Sequence, residues 1–396
     1  MSGARPAAPD RIRLAGIVSG LAVGGCLTWN VSNVGAVADP LAQAYGVSIA
    51  AVGLLTTALF LTHLAVQLPA GRAADRSGAQ TVALAAIAAG VAGNAVLLLN
   101  ASFPLALAGR ALVGLGSGAG FVAGVDLIRA GGGGPVLQGV YGGATMAGGG
   151  LALMVVPALT DATGWRTPYW TAIALALVAL VPTLAARRLP RVGHTDAVVV
   201  RDLRLLPLGV LQAATFGLAV IAGNWVVPLL ERHGAGPALA GLAGGLVLFA
   251  GILTRPAGGV FAGTHRARPV IAAALLGIAV GAAALALDLP LALSALGALL
   301  LGLSAGLPFA VLFAAAQRLR PDAPGAAIAL VNACAVLAIV AGTPLAGLAF
   351  DLPGDGRLAF AAVALAAVAA LFALRRAPLG RDNPSFRSSE GEMRWP

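Results

Sequence analysis

The amino-acid sequence predicts an all-α membrane protein in which twelve transmembrane helices form two similar six-helix bundles. Three observations lead to this fold class. Hydrophobic residues make up 59% of the 396 residues and charged residues only 10%, whereas a soluble domain carries about a quarter charged residues. The apolar residues are grouped in runs long enough to cross a bilayer. The arginines are concentrated between alternate runs, on one predicted side of the membrane.

The first element of this prediction is the number of spans. A helix needs about 20 apolar residues to cross the hydrocarbon core of a bilayer. Runs of this kind, separated by charged residues, Pro and Gly, occur twelve times in the chain. The predicted spans, numbered 1 to 12 in chain order, are 14–38, 48–70, 79–99, 104–129, 136–159, 168–186, 204–230, 237–261, 268–287, 290–317, 325–350 and 357–375.

The arginines give an independent test of this count. All 25 basic residues are Arg. With a cytoplasmic N-terminus, 20 of them fall on the cytoplasmic side, two lie within spans, and three fall outside, at Arg166, Arg232 and Arg357. Cytoplasmic loops of membrane proteins carry this excess of positive charge. We therefore expect a protein of the bacterial cytoplasmic membrane with both termini in the cytoplasm. Its net charge of +10 is then explained by loops that face the lipid bilayer surface, and no nucleic acid is expected as a partner.

The distribution of polar residues divides the chain into five parts. A cytoplasmic tail at 1–13 precedes an N-terminal six-helix bundle at 14–186, and a charged cytoplasmic linker at 187–203 follows. The C-terminal six-helix bundle occupies 204–375 and a second cytoplasmic tail occupies 376–396. Dropping the first run as a signal peptide would reverse the side on which the arginines lie, so we expect this helix to be retained.

The two predicted bundles look like copies of one another. Pro69-Ala70-Gly71 follows span 2, and Pro256-Ala257-Gly258 follows span 8, 187 residues later. The loop that contains Arg166 and the loop that contains Arg357 have a similar offset of 191 residues. Many secondary transporters are built from repeated halves with a substrate site between them.

Two motifs resemble those of the major facilitator superfamily. The segment from Gly71 to Gly78 resembles the family's G-x-x-x-D-R-x-G loop, and the segment from Arg110 to Gly114 resembles its R-x-x-x-G motif in span 4. The resemblance implies two bundles, a central cavity and alternating access. It also implies a cytoplasmic gate formed by Gly71, Asp75, Arg76, Gly78 and Asp126, the last at the inner end of span 4.

The sequence also departs from family patterns. The second copy of the loop motif has Ala262 and Gly263 where the first has an acidic and a basic residue. We therefore expect the gate contact of the second bundle to use another charged group, Arg255 or Arg266. Span 5 lacks the proline of the drug/proton antiporter motif and has Ala144 instead. The segment 254–259 resembles the nitrate/nitrite porter branch, but span 2 lacks the arginine that this branch uses.

Ionisable groups inside the membrane are expensive and are candidates for function. Arg110 either binds an anionic solute or connects helices through backbone carbonyls. Arg255 either contacts the substrate or extends towards the membrane interface. His63 and Gln67 share one face of span 2. His63 is either a proton carrier or a neutral side chain bonded to a neighbouring helix.

Polar and aromatic side chains within the spans complete the set of candidates for the substrate pathway. They can line the cavity or connect helices by hydrogen bonds. They are Asn30, Asn33, Tyr141, Asn224, Trp225 and Asn332.

These features predict a secondary active transporter of a small polar or anionic solute, not an enzyme. It is expected to be a monomer without a cofactor, a metal site or catalytic residues, and to use protons if it is coupled. The spans contain no central Asp or Glu that could pair with an organic cation, which argues against organic cations as substrates. We expect Arg110→Ala to abolish anion transport. The alternatives are proton-coupled efflux of drug-like or biosynthetic compounds and, from another class, a receptor or scaffold that transports nothing.

Overall fold

The structure, a computed structural model, describes residues 10–99, 101–186, 189, 199–287 and 289–379. Its long helices correspond to the twelve predicted spans. In order, they cover Asp10–Ser32, Ile49–Ser77, Ala79–Leu99, Phe103–Ala130, Pro135–Thr163, Thr167–Ala185, Leu203–Arg232, Pro237–Gly259, Ala267–Ala286, Leu291–Leu319, Pro324–Leu348 and Arg357–Arg376. Eleven are long and apolar enough to cross a membrane, and Pro237–Gly259 completes the alternation as span 8.

Small residues let neighbouring helices approach closely, and they do so at equivalent places in the two halves. A Cβ atom on Gly93 of span 3 would lie 2.7 Å from the carbonyl oxygen of Gly109 in span 4. A Cβ atom on Gly281 of span 9 would lie 2.5 Å from the carbonyl oxygen of Gly297 in span 10. Both glycines of the second pair lie 188 residues after those of the first. The structure therefore repeats the same helix contact in each bundle.

The structure corrects the predicted limits of spans 1 and 2. Span 1 ends at Ser32, and the chain then forms a 3₁₀ turn at Gly35–Val37 and a short helix at Ala38–Tyr45. Span 2 continues to Ser77, so most of the motif that the sequence predicted as a loop is helical. This helix ends at Gly78, where φ is +89°, a backbone conformation that favours glycine.

Two spans of the C-terminal bundle are irregular. Span 7 combines a 3₁₀ turn at Leu203–Leu205, a helix at Leu206–Gln212, a π turn at Ala213–Gly217 and a helix at Leu218–Arg232. Span 10 consists of helices Leu291–Gly306 and Pro308–Leu319, which meet at a proline. The π turn contains Phe216 and the first helix of span 10 ends at Gly306, and both residues line the same pocket as Arg255.

The bundles contact each other near one end of the spans. We call this end the linker side, because the start of span 1, the end of span 6, the start of span 7 and the end of span 12 lie there. Span 2 packs against span 11, and span 5 packs against span 8. A Cβ atom on Gly71 would lie 2.7 Å from the carbonyl oxygen of Gly325. A Cβ atom on Gly259 would lie 2.6 Å from the carbonyl oxygen of Pro135.

Candidate functional site

Arg255 lies in the contact between span 8 and span 5, and only 2% of its surface is exposed. Its Nη1 donates to the carbonyl oxygen of Gly142 at 2.7 Å and to Oγ1 of Thr145 at 3.3 Å. The guanidinium group also lies 4.4 Å from the ring centre of Phe309 and 5.0 Å from that of Phe216. Its side chain therefore lies between the bundles, where it contacts the N-terminal bundle, rather than at the membrane interface.

Arg255 lines a small pocket, part of which is open to the outside. Met146 of span 5 contributes one wall. Spans 7, 8 and 10 contribute the others. The remaining lining residues are Phe216, Ala219, Val220, Val247, Gly251, Arg255, Gly302, Ala305 and Gly306. Among these described residues Arg255 is the charged one, and its buried Nε has no hydrogen-bond partner. Such an unpaired donor is a strong binding group for an anion.

The chain closes the linker side of this pocket with close backbone contacts. Arg255 lies at the linker-side end of the pocket, because it follows Val247 and Gly251 along span 8. A Cβ atom on Gly139 would overlap the carbonyl group of Arg255. Nearby, Nε2 of Gln138 in span 5 donates to Oε1 of Gln317 in span 10 at 2.8 Å. This geometry leaves little room for a solute to leave on the linker side.

Asp75 makes the polar contact between span 2 and span 11. Its Oδ1 accepts a hydrogen bond from the backbone N–H of Gly325 at 2.8 Å, and its Oδ2 accepts one from that of Ala326 at 3.0 Å. Span 11 begins at Pro324, so the carboxylate lies at a helix N-terminus, where backbone N–H groups and the helix dipole favour negative charge. Only 2% of Asp75 is exposed.

The other predicted gate residues occupy the same end of the molecule. Gly71 packs against Gly325, Arg76 lies in the last turn of span 2, and Gly78 ends that helix. Asp126 is buried at the linker-side end of span 4 and forms an ion pair with Arg129 of its own helix at 2.6 Å. Asp75 joins the bundles through the start of span 11, a partner that the sequence did not indicate.

Gln67 and Asn332 form a second polar contact between spans 2 and 11. Nδ2 of Asn332 donates to Oε1 of Gln67 at 3.2 Å, while Nε2 of Gln67 and Oδ1 of Asn332 are buried without partners. One turn earlier, Nδ1 of His63 lies 3.0 Å from Oγ of Ser117 in span 4. His63 thus makes a contact within its own bundle, as expected of a histidine bonded to a neighbouring helix.

Arg110 is fully buried inside the N-terminal bundle. Its Nη2 donates to the carbonyl oxygen of Asn30 at 2.8 Å, and its Nε donates to that of Leu55 at 3.4 Å. These are the contacts expected of a residue that connects helices. Nδ2 of Asn94 donates to Oδ1 of Asn30, and Nδ2 of Asn33 donates to the carbonyl oxygen of Pro168. Asn30 in span 1 and Asn33 just after its end therefore connect elements of the same bundle.

The remaining candidates are not among the residues that line the Arg255 pocket. Tyr141 is fully buried and donates to the carbonyl oxygen of Phe121 at 2.7 Å. Trp225 donates through Nε1 to the carbonyl oxygen of Thr343 at 2.9 Å. Asn224 is exposed. Each remains a prediction as a residue of the substrate pathway.

Sequence reasoning missed several residues of the pocket and its surroundings. Phe216 and Phe309 are apolar residues within apolar runs, so no local signal distinguished them. A usable signal existed for Thr145, because it precedes Asn332 by 187 residues, the offset of the internal repeat. The two residues occupy corresponding positions, and each contacts the opposite bundle.

The described fold, two bundles of membrane-spanning helices with a pocket between them, is that of a membrane transport protein. The chain belongs to the major facilitator superfamily, because the model of that family, described as Major Facilitator Superfamily, matches residues 20–207 and again residues 208–392. The predicted fold and family are thereby confirmed. Comparison with curated protein sequences gives no significant match.

Solved structures of known transporters share this fold. One is the human organic anion transporter MFSD10 (TETRAN), with a TM-score of 0.73 and 16% sequence identity. Another is the E. coli fucose:proton symporter FucP (N162A), with a TM-score of 0.70 and 14% identity. Each comparison covers 93% of this chain and 100% of the other chain. At such low identity the likeness extends to the fold alone.

Proposed function

We propose that this protein is a secondary active transporter of a small anionic solute. The N-terminal bundle, 14–186, and the C-terminal bundle, 204–375, would rock about a site between them, with 187–203 as the connecting linker. The observation that carries the proposal is Arg255: a buried guanidinium group lines the pocket between the bundles, and its Nε has no partner. A buried cation in a membrane is costly unless an anion or a set of acceptors compensates it.

The described arrangement corresponds to a state that is closed on the linker side. We propose that this side is the cytoplasmic face of a bacterial membrane, as the arginine distribution suggests. Asp75 at the start of span 11 and Gln138 against Gln317 would hold the bundles together there. Opening towards the cytoplasm requires these hydrogen bonds to break, which makes Asp75 the central residue of the proposed gate.

This proposal assigns the anion to Arg255 rather than to Arg110. Both guanidinium groups donate two hydrogen bonds and each has a buried nitrogen without a partner. Arg110, however, lies inside the N-terminal bundle, where its acceptors are the carbonyl groups of Asn30 and Leu55. Arg255 lines a pocket that both bundles share. An anion bound there contacts both moving parts, as alternating access requires.

Proton-coupled efflux of drug-like compounds is the second candidate. The observation that favours it is the apolar lining around Arg255, which includes Met146, Phe216 and Val220. If transport is coupled to protons, His63 is the candidate carrier that the sequence offers, although its described contact with Ser117 lies within one bundle. A proton-coupled carrier acidifies or alkalinises the vesicle lumen during solute uptake, and His63→Gln should remove that pH change.

Uptake into proteoliposomes tests the proposed function. We expect labelled small anions to exchange across vesicles that contain the purified protein, and sugars and amino acids not to exchange. Arg255→Gln should reduce anion exchange by roughly tenfold or more, because one charge-assisted hydrogen bond contributes about 1.5–3 kcal/mol. The matched control is Arg375→Gln, which removes an exposed arginine at the end of span 12. Anion exchange that survives Arg255→Gln unchanged would reject the proposal.

A further inference from the structure

We infer that the Arg255 pocket binds a small organic anion that carries one negative charge and an apolar body. This inference rests on the proposed function and narrows its substrate class. It depends on three properties of the pocket: the number of charges in its lining, the directions in which the guanidinium group can donate, and the chemistry of the remaining walls.

The charge of the ligand follows from the lining. Among the described residues around the pocket, Arg255 is the charged one. A monoanion neutralises it. A dianion would leave one negative charge in an apolar pocket, and a buried unpaired charge is strongly unfavourable. A neutral ligand would supply no negative charge to Arg255, whose Nε has no partner.

The guanidinium group leaves one direction for the ligand. Its N–H groups point outward in the plane of the group. The ring of Phe309 lies 4.4 Å away and that of Phe216 lies 5.0 Å away. Nη1 donates to Gly142 and Thr145 of span 5. The edge formed by Nε, which has no partner, and Nη2 therefore remains for the ligand, and the two oxygen atoms of a planar carboxylate match such an edge.

The rest of the pocket requires an apolar body. Its walls consist of apolar side chains such as Met146, Val220 and Val247, together with glycines and alanines. The hydroxyl groups of a sugar would lose water there without gaining hydrogen bonds, which costs free energy. A phenyl ring or a short alkyl chain is the type of body that matches these walls in chemistry.

A matched series of probes tests the inference on the unaltered protein. Benzoate carries one charge and a phenyl ring, benzamide is its neutral analogue, phthalate is a dianion, and nitrate has no apolar body. We expect titration calorimetry of the purified protein in detergent to give the tightest binding for benzoate. Benzamide, phthalate and nitrate should each bind at least about tenfold more weakly, the size expected for one charged hydrogen bond or a lost apolar contact. Equal affinity for benzoate and benzamide, or tighter binding of phthalate or nitrate, would overturn the inference.

Variants then locate the binding site. Arg255→Gln should weaken benzoate binding by at least about tenfold, and Phe216→Ala should weaken it less, since it removes one wall and keeps the charge. Arg375→Gln serves as the control and should leave binding unchanged. Benzoate affinity that is unchanged in both Arg255→Gln and Phe216→Ala would place the ligand elsewhere and reject the site. Because the probe series uses the unaltered chain, it decides the ligand class even if a variant fails to fold.

The two proposals fail in different ways. Benzoate binding that depends on Arg255, without any flux of benzoate in proteoliposomes, would support the site and reject transport of this anion class. Flux of nitrate that depends on Arg255, without benzoate binding, would support anion transport and overturn the inferred ligand class.

Discussion

The two contacts that join the bundles correspond to each other in the internal repeat, but they differ in chemistry. Between spans 2 and 11, the carboxylate of Asp75 accepts hydrogen bonds from the backbone N–H groups at the start of a helix. Between spans 5 and 8, the guanidinium group of Arg255 donates to a backbone carbonyl group and to Thr145. The charges have opposite signs. Both oxygens of Asp75 accept hydrogen bonds from the other bundle, whereas Nε of Arg255 has no partner.

This difference suggests that the two contacts have different roles. Arg255 lines the pocket, so a bound anion changes the environment of the contact between spans 5 and 8 directly. Asp75 lies at the linker-side end of span 2, two turns beyond Gln67, where it closes the structure without lining the described pocket. We propose that the first contact responds to the solute, whereas the second sets how stable the closed state is in its absence.

The largest expected effect is that of Gly139→Ala. The new Cβ atom would overlap the carbonyl group of Arg255, so spans 5 and 8 cannot keep their present separation. Overpacking of this kind costs about 1–3 kcal/mol, and we expect the population closed on the linker side to fall by roughly fivefold to a hundredfold. Spin labels at the exposed residues Ser77 and His265 would report the separation of the bundles, with both native cysteines replaced by alanine.

The control for this experiment is Gly134→Ala. A Cβ atom on Gly134 would meet no neighbouring atom within 4 Å, and the φ of −77° at this position suits any residue. The substitution should leave the distance between the labels as in the parent chain. If Gly139→Ala gives the same distance distribution as Gly134→Ala, close packing at spans 5 and 8 does not maintain the closed state.

Asp75→Asn should have a smaller effect of the same kind. Asparagine keeps an oxygen atom near the N–H groups of Gly325 and Ala326 but loses the charge that the helix dipole stabilises. This interaction contributes about 0.3–2 kcal/mol, so we expect the closed population to fall by roughly twofold to thirtyfold, measured with the same labels. Asp39→Asn, in the exposed part of the helix Ala38–Tyr45, is the matched control. Equal label distances in the two variants would show that the charge of Asp75 is not needed.

The smallest expected effect concerns two carboxylates outside both contacts. The hydrogen bond from Arg204 is the main cause that lowers the pKa of Asp202, and that from Arg320 lowers the pKa of Asp322. A carboxylate with a lowered pKa contributes its full stability above its ordinary pKa of about 4, and this contribution is lost as the pH falls through the lowered value.

Asp202→Asn should therefore lower the melting temperature slightly at about pH 6 and have no effect well below the lowered pKa. Thermal unfolding at that pH and at successively lower pH values would measure this difference. The label distances should not change in Asp202→Asn, because neither contact between the bundles involves this residue. A destabilisation that is independent of pH would contradict the electrostatic origin of the effect.

The sequence was sufficient to predict the general architecture. Apolar runs, arginine asymmetry and the offset between Gly71 and Gly258 predicted twelve spans and two related halves, because membrane insertion imposes strong and local rules on composition. The same rules fix only which residues lie in a span. They do not determine the face of each helix that turns towards the other bundle.

The two arginines within spans illustrate this limit. Arg110 and Arg255 are both isolated cations in apolar runs, and the sequence alone gave no means of deciding which lies between the bundles. The packing of glycines decides it, since Gly139 and Gly142 bring spans 5 and 8 together around Arg255. The partner of Asp75 was equally invisible, because it consists of backbone N–H groups and carries no side-chain signal.

The π turn of span 7 has a consequence for how this chain is compared with its relatives. A π turn holds one residue more than the α turn that it replaces, and each residue of an α-helix corresponds to a rotation of about 100°. The turn at Ala213–Gly217 thus acts as a one-residue insertion within a helix that shows no gap in hydropathy. An ungapped alignment with a regular span 7 is correct on one side of this turn only, and it assigns the wrong counterpart either to Phe216 or to the residues that precede it.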